Sequence, residues 1–186
     1  MEIFRNSTKD LVNARGGVFA LGNFDGVHLG HKEIISKAIS IGKKNNIPSG
    51  VLIFQPHPRK FFRPNDENFI ISDIKTRSYL LENCGLGFLG ILDFDKKMSN
   101  LTPYEFVDNV INNAIDVSHL IVGYNFKFGK DRSGDVQALT DICKKLKIDL
   151  SIIDKVEGDS YIFSSSSVRD CLRKADLKGA KKIIGD

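Results

Sequence analysis

Short apolar runs alternate with longer amphipathic stretches along most of the chain. Apolar residues at helical spacing predict helices. One of these helices has Thr102 as its N-cap and Pro103 as its first helical residue. The predicted helices are 33–44, 75–83, 102–114, 136–147, 168–173 and 177–184. The compact apolar runs predict strands at 17–21, 50–54, 88–92, 119–122 and 150–153. Strands separated by helices predict an α/β fold, with a doubly wound, Rossmann-like parallel sheet.

Residues 55–68 interrupt this alternation because they are rich in Pro, Phe and Arg. We therefore predict a small irregular insertion there. In doubly wound sheets, ligands bind beyond the carboxyl ends of the strands, where the strand order reverses. The segments that follow the first, second and fourth predicted strands are accordingly the places to look for chemistry.

Composition narrows the class of protein. The 186 residues fit a single domain, 1–186, and 41% of them are hydrophobic. The net charge of +4 suits a protein that binds phosphates, but no dense basic run with interleaved aromatics indicates nucleic acid. No stretch approaches the roughly 20 apolar residues that cross a membrane. Three separated cysteines predict reduced thiols in a cytoplasmic protein, and they are Cys84, Cys143 and Cys171.

The segment 22–31, GNFDGVHLGH, follows the first predicted strand and opens the first predicted helix. Its glycines allow the backbone to approach a ligand closely, and amides at a helix start can hold phosphate oxygens. His28 and His31 are three residues apart, so both can face one side and donate to a polyphosphate. The alternative is a turn with surface histidines.

A second segment, 163–169, reads FSSSSVR and precedes a predicted helix. Serine hydroxyls and free amides at a helix start form an anion site, and Arg169 could reach the same phosphates with its planar fork. The alternative is an ordinary serine N-cap beside a solvated arginine.

These two segments resemble the HxGH and ISSTxxR signatures of the nucleotidylyltransferases. With FQPHP at 54–58, GYNFKFG at 123–129 and RSGD at 132–135, nearly the whole chain resembles the adenylyltransferase module of bacterial bifunctional riboflavin kinase/FMN adenylyltransferases. Ser166 replaces a common Thr, and Asn125 stands where many relatives carry Asp. The family continues into a riboflavin kinase module, which would begin where this sequence stops, so we expect that partner module to be missing from this chain.

The resemblance implies transfer of AMP from ATP to FMN, which yields FAD and pyrophosphate. It also implies that Mg²⁺ binds the phosphates, and the sequence predicts no protein ligands for this ion. Aromatic rings stack well on a flavin. The implied catalytic residues are His28, His31, Asn125 and Arg169. The implied ATP-binding residues are Gly22, Asn23, Phe24, Gly30, Ser164, Ser165 and Ser166. The implied flavin-binding residues are Phe54, Pro56, Pro58, Phe62 and Phe128.

Two alternatives remain open at this point. An enzyme of the same fold could adenylylate a different phosphate acceptor, such as phosphopantetheine or nicotinate mononucleotide. A nucleotide sensor would instead bind ATP and release no pyrophosphate.

Overall fold

A computed structural model describes residues 1–6, 12–66, 69–158 and 162–185 of the chain. Its centre is a sheet of six strands, all parallel, in the order β1-β4-β3-β2-β5-β6. The strands are β1 (Glu2–Arg5), β2 (Val18–Leu21), β3 (Ser49–Gln55), β4 (Phe88–Asp93), β5 (His119–Gly123) and β6 (Asp149–Ile153). The predicted doubly wound α/β fold is therefore confirmed.

The five predicted strands are confirmed to within two residues at each end, but β1 was missed. This edge strand has four residues, of which only Phe4 is buried, so it carries too little alternation to predict a strand. Its place depends on the register with β4, where Phe4 lies opposite Gly90. A Cβ at Gly90 would lie 2.5 Å from the Phe4 ring, so the glycine makes room for that ring.

Two apolar clusters cover the two faces of the sheet. Successive residues of β3 alternate between them, because side chains along a strand point to opposite faces. Leu52 and Phe54 belong to the cluster that includes Phe106 and Leu139, whereas Val51 and Ile53 belong to the cluster that includes Ile35. The sheet is thus buried between helices on both sides, as the alternation of strands and helices predicts.

The helices agree with the sequence pattern best in their middles. They are α1 (Leu29–Asn45), α2 (Pro58–Phe62), α3 (Ile74–Asn83), α4 (Lys96–Ser99), α5 (Pro103–Glu105), α6 (Val136–Leu146), α7 (Ser165–Arg173) and α8 (Leu177–Ile184), with a π-helix at Phe106–Ile115 and a 3-10 turn at Lys130–Arg132. Thr102 is the N-cap of α5, as predicted, and it also forms a capping box with Glu105. None of the helices in the described ranges is long and apolar enough to span a membrane.

The predicted insertion at 55–68 contains the short helix α2, and its last two residues lie outside the described part. The prediction of an irregular segment missed this helix because His57 provides the cap and Pro58 the first helical residue, within a run too short to show helical spacing.

The strand order reverses at β2, which pairs with β3 on one side and with β5 on the other. The chain first winds outward through β3 and β4, and then returns to add β5 and β6. The crevice beyond the carboxyl ends of β2 and β5 is therefore the expected ligand site.

Candidate active site

A cavity of about 920 Å³ opens at this reversal point, a size at the upper end for ligand pockets. It is lined by all the predicted site residues except Pro56. Pro56 is exposed on the chain between β3 and α2, and it is the one predicted flavin-binding residue that is not among those lining the cavity.

The first turn of α1 brings the two predicted histidines together. Their rings stack with centroids 3.6 Å apart. His28 is the N-cap, and its Nδ1 accepts the amide of His31 at 3.3 Å. Gly30 lies between them because a Cβ there would be 2.5 Å from the carbonyl oxygen of Phe163. The HxGH spacing thus lets α1 touch the serine-rich segment.

Both histidines are neutral near pH 7. Burial, followed by the charge of Arg169, lowers the pKa of His28 to about 4. Burial, followed by the neighbouring His28, lowers the pKa of His31 well below its usual range. Because Nδ1 of His28 accepts a hydrogen bond, we assign the proton of the neutral ring to Nε2. His28 can therefore donate one N–H to a phosphate without carrying a charge of its own.

The serine-rich segment starts α7 at the same place. Ser164 is the N-cap and accepts the amide of Ser167 at 3.1 Å, while Ser165 donates its hydroxyl to the carbonyl of Asp25 at 3.0 Å. Neither α1 nor α7 has an acidic residue in its first turn. Two helix N-termini with free amides therefore lie side by side at the cavity, where they favour an anion.

Arg169 lines the cavity from the second turn of α7. Its Nη2 donates to Asp25 at 2.6 Å, and its Nε donates to the carbonyl of Phe69 at 2.7 Å. The guanidinium also lies over the Phe69 ring, 3.9 Å from the centroid. The predicted fork is thus anchored along one edge, and the remaining N–H groups are the ones that could bind phosphate.

Asn125 lies in the turn after β5, where Phe126 donates its amide to the carbonyl of Gly123 at 3.0 Å. Its side chain is exposed and lines the cavity, as predicted for a residue at a strand end. The following Lys127 pairs with Asp135 of the RSGD segment at 3.4 Å, and Asp135 caps α6. The GYNFKFG and RSGD motifs are therefore in contact through this ion pair.

A group of aromatic rings in mutual contact also lines the cavity, and we call it the aromatic end; its members are Phe54, Phe62, Phe94, Phe106 and Phe128. Phe54 and Phe128 are almost completely buried and both pack against Phe106. Phe62, on α2, is 63% exposed and touches Phe94 edge-on, with ring centroids 5.9 Å apart. Of the predicted flavin-binding rings, Phe62 is therefore the one exposed for stacking on a ligand, whereas the buried pair forms part of the cavity wall.

Sequence reasoning missed three residues of the site, Asp25, Arg77 and His57. Asp25 and Arg77 are almost fully buried and form an ion pair at 3.1 Å. His57 lines the cavity, accepts the amide of Arg59, and has its pKa lowered to about 4 by burial. Asp25 and His57 lie within the GNFDG and FQPHP motifs, so these motifs could have identified them as site residues. No local sequence pattern marks Arg77.

A doubly wound sheet with two helix N-termini, a histidine pair and an arginine at its reversal point defines a Rossmann-like α/β protein with a cavity suited to anions. Its aromatic end leaves room for a flat second ligand. Residues 11–167 match the family model described as FAD synthetase, and the chain belongs to that family.

Curated relatives include an FAD synthetase from Listeria monocytogenes, 30% identical over 186 residues that make up 100% of this chain and 75% of that protein. A bifunctional riboflavin kinase/FMN adenylyltransferase from Pseudomonas fluorescens is 33% identical over 92% of this chain and 55% of its own length. One from Buchnera aphidicola is 28% identical over 94% of this chain and 56% of its own length. The chain thus spans little more than half of these bifunctional relatives.

A crystal structure described as a macrolide-efflux protein from Streptococcus pneumoniae shares the fold. It superposes with a TM-score of 0.85 and 26% sequence identity, over 98% of this chain and 60% of that one.

Proposed function

We propose that this chain, as a single domain over 1–186, is an FMN adenylyltransferase that joins FMN to the AMP part of ATP. The observation that carries the proposal is one cavity with both a phosphate-binding end and an aromatic end, in a chain of the FAD synthetase family. The first end suits the triphosphate of ATP and the second suits the flavin ring. We also propose the cytoplasmic location that the sequence predicts.

In the proposed reaction, a phosphate oxygen of FMN attacks the α-phosphorus of ATP. A new P–O bond forms, the bond to the bridging oxygen of the β-phosphate breaks, and pyrophosphate leaves with that electron pair. The FMN phosphate has a second pKa of about 6, so at neutral pH it needs no strong general base. The protein's task is then to position both phosphates and to stabilise the charge that moves to the leaving group.

The residues divide this task by position. His28 and His31 donate neutral N–H groups at the start of α1, where the helix dipole adds positive potential. Ser164, Ser165, Ser166 and Arg169 would hold the departing pyrophosphate at the start of α7. Gly22, Asn23, Phe24 and Gly30 would border the nucleotide, and Asn125 would orient a phosphate or ribose from the turn after β5.

We propose that Mg²⁺ enters with the nucleotide. Among the residues that the structure describes, His, Cys, Asp and Glu form no group of three or more that could hold a metal ion. The carboxylates at the cavity are Asp25, Asp131 and Asp154, and Asp25 already binds two arginines. This donor set fits an ion that keeps several waters and binds phosphate oxygens, as Mg²⁺ commonly does. When bound, Mg²⁺ would offset phosphate charge.

The aromatic end of the cavity supports FMN as the acceptor over the two alternatives. Phe62 would lie against the flavin ring, with Phe54, Phe128 and Pro58 forming the surrounding wall. Phosphopantetheine has no flat ring, so nothing in this aromatic end selects for it. Nicotinate mononucleotide has a single small aromatic ring, which would leave much of the aromatic surface uncovered.

The test is to incubate the purified chain with ATP, Mg²⁺ and one acceptor at a time, and to measure pyrophosphate and the adenylylated product by chromatography. We expect FAD and pyrophosphate from FMN, and no product from phosphopantetheine or nicotinate mononucleotide. A chelator of Mg²⁺ should abolish turnover. ATP binding without pyrophosphate release would instead identify a nucleotide sensor.

A second arm replaces FMN with riboflavin. We expect no FMN, because the matched motifs are those of the adenylyltransferase module and a kinase must present the γ-phosphorus to its acceptor. A riboflavin kinase module, if it acts with this one, would then supply FMN from outside residues 1–186. Formation of FMN by this chain alone would contradict the assignment.

A further inference from the structure

The carboxylate of Asp25 is the most heavily bonded side chain of the site, although it is only 1% exposed. It accepts both backbone amides of Ile71 and Ser72, at 3.1 and 2.9 Å, and the hydroxyl of Ser72 at 3.2 Å. It also accepts Arg77 and Arg169 at 3.1 and 2.6 Å. The Asp25 carboxylate takes no part in the proposed reaction, so its large number of hydrogen-bond partners requires another explanation.

Arg77 holds Asp25 from the buried side. Its Nη1 donates to the carbonyl of Asn23 at 3.0 Å, and its Nη2 donates to the carbonyl of Ser72 at 2.8 Å as well as to Asp25. The loop after β2 and the start of α3 are thus tied to one guanidinium. Phe24 and Val27, on either side of Asp25, have positive φ angles of 48° and 38°. These bonds hold a turn that non-glycine residues rarely adopt.

Arg169 holds Asp25 from the cavity side. Two of its atoms are fixed by different partners, Nη2 by Asp25 and Nε by the Phe69 carbonyl, and the ring of Phe69 lies below the plane. Two anchored atoms and one stacked face determine both the position and the tilt of a planar guanidinium. Without Asp25, one of these three constraints is lost.

The charges also favour a role at the phosphates. Burial raises the pKa of Asp25, but the amides of Ser72 and Ile71 and the charges of Arg77 and Arg169 outweigh it, and the pKa lies below its ordinary value. One ionised carboxylate therefore faces two guanidiniums. A net positive charge remains, and Arg169 is the member of the group that reaches the cavity.

We propose that Asp25 is a positioning residue that, backed by Arg77, fixes the plane in which Arg169 offers its free N–H groups to the polyphosphate of the nucleotide. The inference rests on the proposed function in taking ATP as the ligand. Asp25 would touch neither substrate and would act only through Arg169.

The experiment is a double-mutant cycle on ATP binding, measured by calorimetry with Mg²⁺ and without FMN. Asp25→Asn and Arg169→Lys should each weaken ATP binding by about tenfold, since each removes a charge-assisted contact or its geometry. If Asp25 acts through Arg169, the double variant should be no weaker than the worse single variant. The proposal would be overturned if the loss of ATP affinity in the double variant equalled the product of the two single losses. It would also be overturned if Asp25→Asn bound ATP as tightly as the unmodified chain.

Further measurements separate positioning from general stability. FMN affinity should stay within twofold in Asp25→Asn, whereas a merely structural role would weaken both ligands together. Asp116→Asn is the control, because Asp116 pairs with Arg15 at 3.4 Å and neither of these two residues lines the cavity. It should leave ATP affinity unchanged.

Nitrogen relaxation at Nε of Arg169 in the unmodified chain gives a test that needs no folded variant. An order parameter near that of rigid backbone, about 0.85, is expected without ligand, and a value below about 0.6 would contradict pre-positioning. None of these measurements depends on turnover. A chain that makes no FAD would therefore refute the proposed function and leave this inference open to its own test.

Discussion

At the scale of single residues, the site depends on side chains whose burial changes their chemistry. His28, His31 and His57 line one cavity, and burial is the largest cause that lowers the pKa of each. A neutral imidazole donates a hydrogen bond without repelling the nearby arginines. The same burial makes the fold sensitive to acid, and this sensitivity can be measured.

We predict that the free energy of unfolding falls as the pH is lowered from about 6.5 towards about 4. In the unfolded chain histidine takes up a proton near pH 6.5, whereas folded His28 and His57 do so only near 4. Between these values the unfolded state binds more protons, so each group contributes stability at neutral pH that is lost on acidification. Urea titrations at pH 8, 7, 6 and 5 would measure this.

The control for this prediction is His57→Asn, which can still cap α2 through its side-chain oxygen. Its stability should depend less steeply on pH than that of the unmodified chain. Stability that rises from pH 7 to pH 5 would show that the histidines are charged in the folded protein.

A second prediction concerns Phe62, the exposed ring of the aromatic end. Phe62→Ala should weaken FMN binding roughly two- to tenfold, from the lost stacking, and leave ATP binding unchanged. Tyr79 offers a matched control because it is also 63% exposed, lies on α3 and does not line the cavity. Fluorescence titration with FMN would compare the variants. Equal losses of both ligands in Phe62→Ala would point to rearrangement of α2.

At the scale of elements, the contact of α1 with the serine-rich segment depends on Gly30. We predict that Gly30→Ala costs about 1–3 kcal/mol of stability, because the new methyl must displace the Phe163 carbonyl. The control is Gly123→Ala, whose methyl would meet nothing closer than 3.6 Å. Melting temperatures would compare the two. An unchanged melting temperature in Gly30→Ala would mean that α1 and the serine-rich segment can move apart at no cost in stability.

The sequence predicts elements well where the pattern is long and locally determined. The amphipathic α6 and α8 were located to within one residue, since their apolar spacing continues over several turns. The start of α1 was placed four residues late, because its cap is His28 and not one of the usual Ser, Thr, Asp or Asn residues. The π-helix at Phe106–Ile115 carries the same spacing as an α-helix and was read as one.

The site shows the same division. His28, His31 and Ser164 lie in local motifs, and the geometry brings them together as expected. Arg77 reaches Asp25 across 52 positions, a contact that no local pattern contains. Pro56 differs from these residues, because its motif suggested a role but it is not among the residues that line the cavity, and its flavin-binding role stays a prediction. Local motifs therefore identify residues that line the cavity better than residues that support them from a distant part of the chain.

At the scale of the whole molecule, positive charge is concentrated at the cavity. The lining includes Arg59, Arg63, Lys127, Arg132, Lys155 and Arg169 but only three carboxylates, in a chain whose net charge is +4. Such a distribution attracts anionic substrates from solution, and salt screens the attraction over about 10 Å at 0.1 M.

We predict that kcat/KM for ATP and FMN falls as salt rises from 0.02 to about 0.5 M, while kcat changes much less, because screening affects the approach more than the bound geometry. Steady-state kinetics over a salt series would test this. Glycerol at matched viscosity separates screening from slower diffusion. A kcat/KM independent of salt would show that the positive lining contributes nothing to substrate capture.

The bond between Asp25 and Arg169 joins residues 144 positions apart, which has a consequence for how the protein is made. A ribosome produces the first anchor, Asp25 with Arg77, long before the second half of the site exists. Closing a contact of such large separation costs the entropy of ordering a long loop, so the second anchor is the more demanding one to form. A growing chain can therefore complete its central strands before Arg169 exists. On the proposed function, ATP finds its complete site, and stabilises the fold most, once synthesis has passed Arg169.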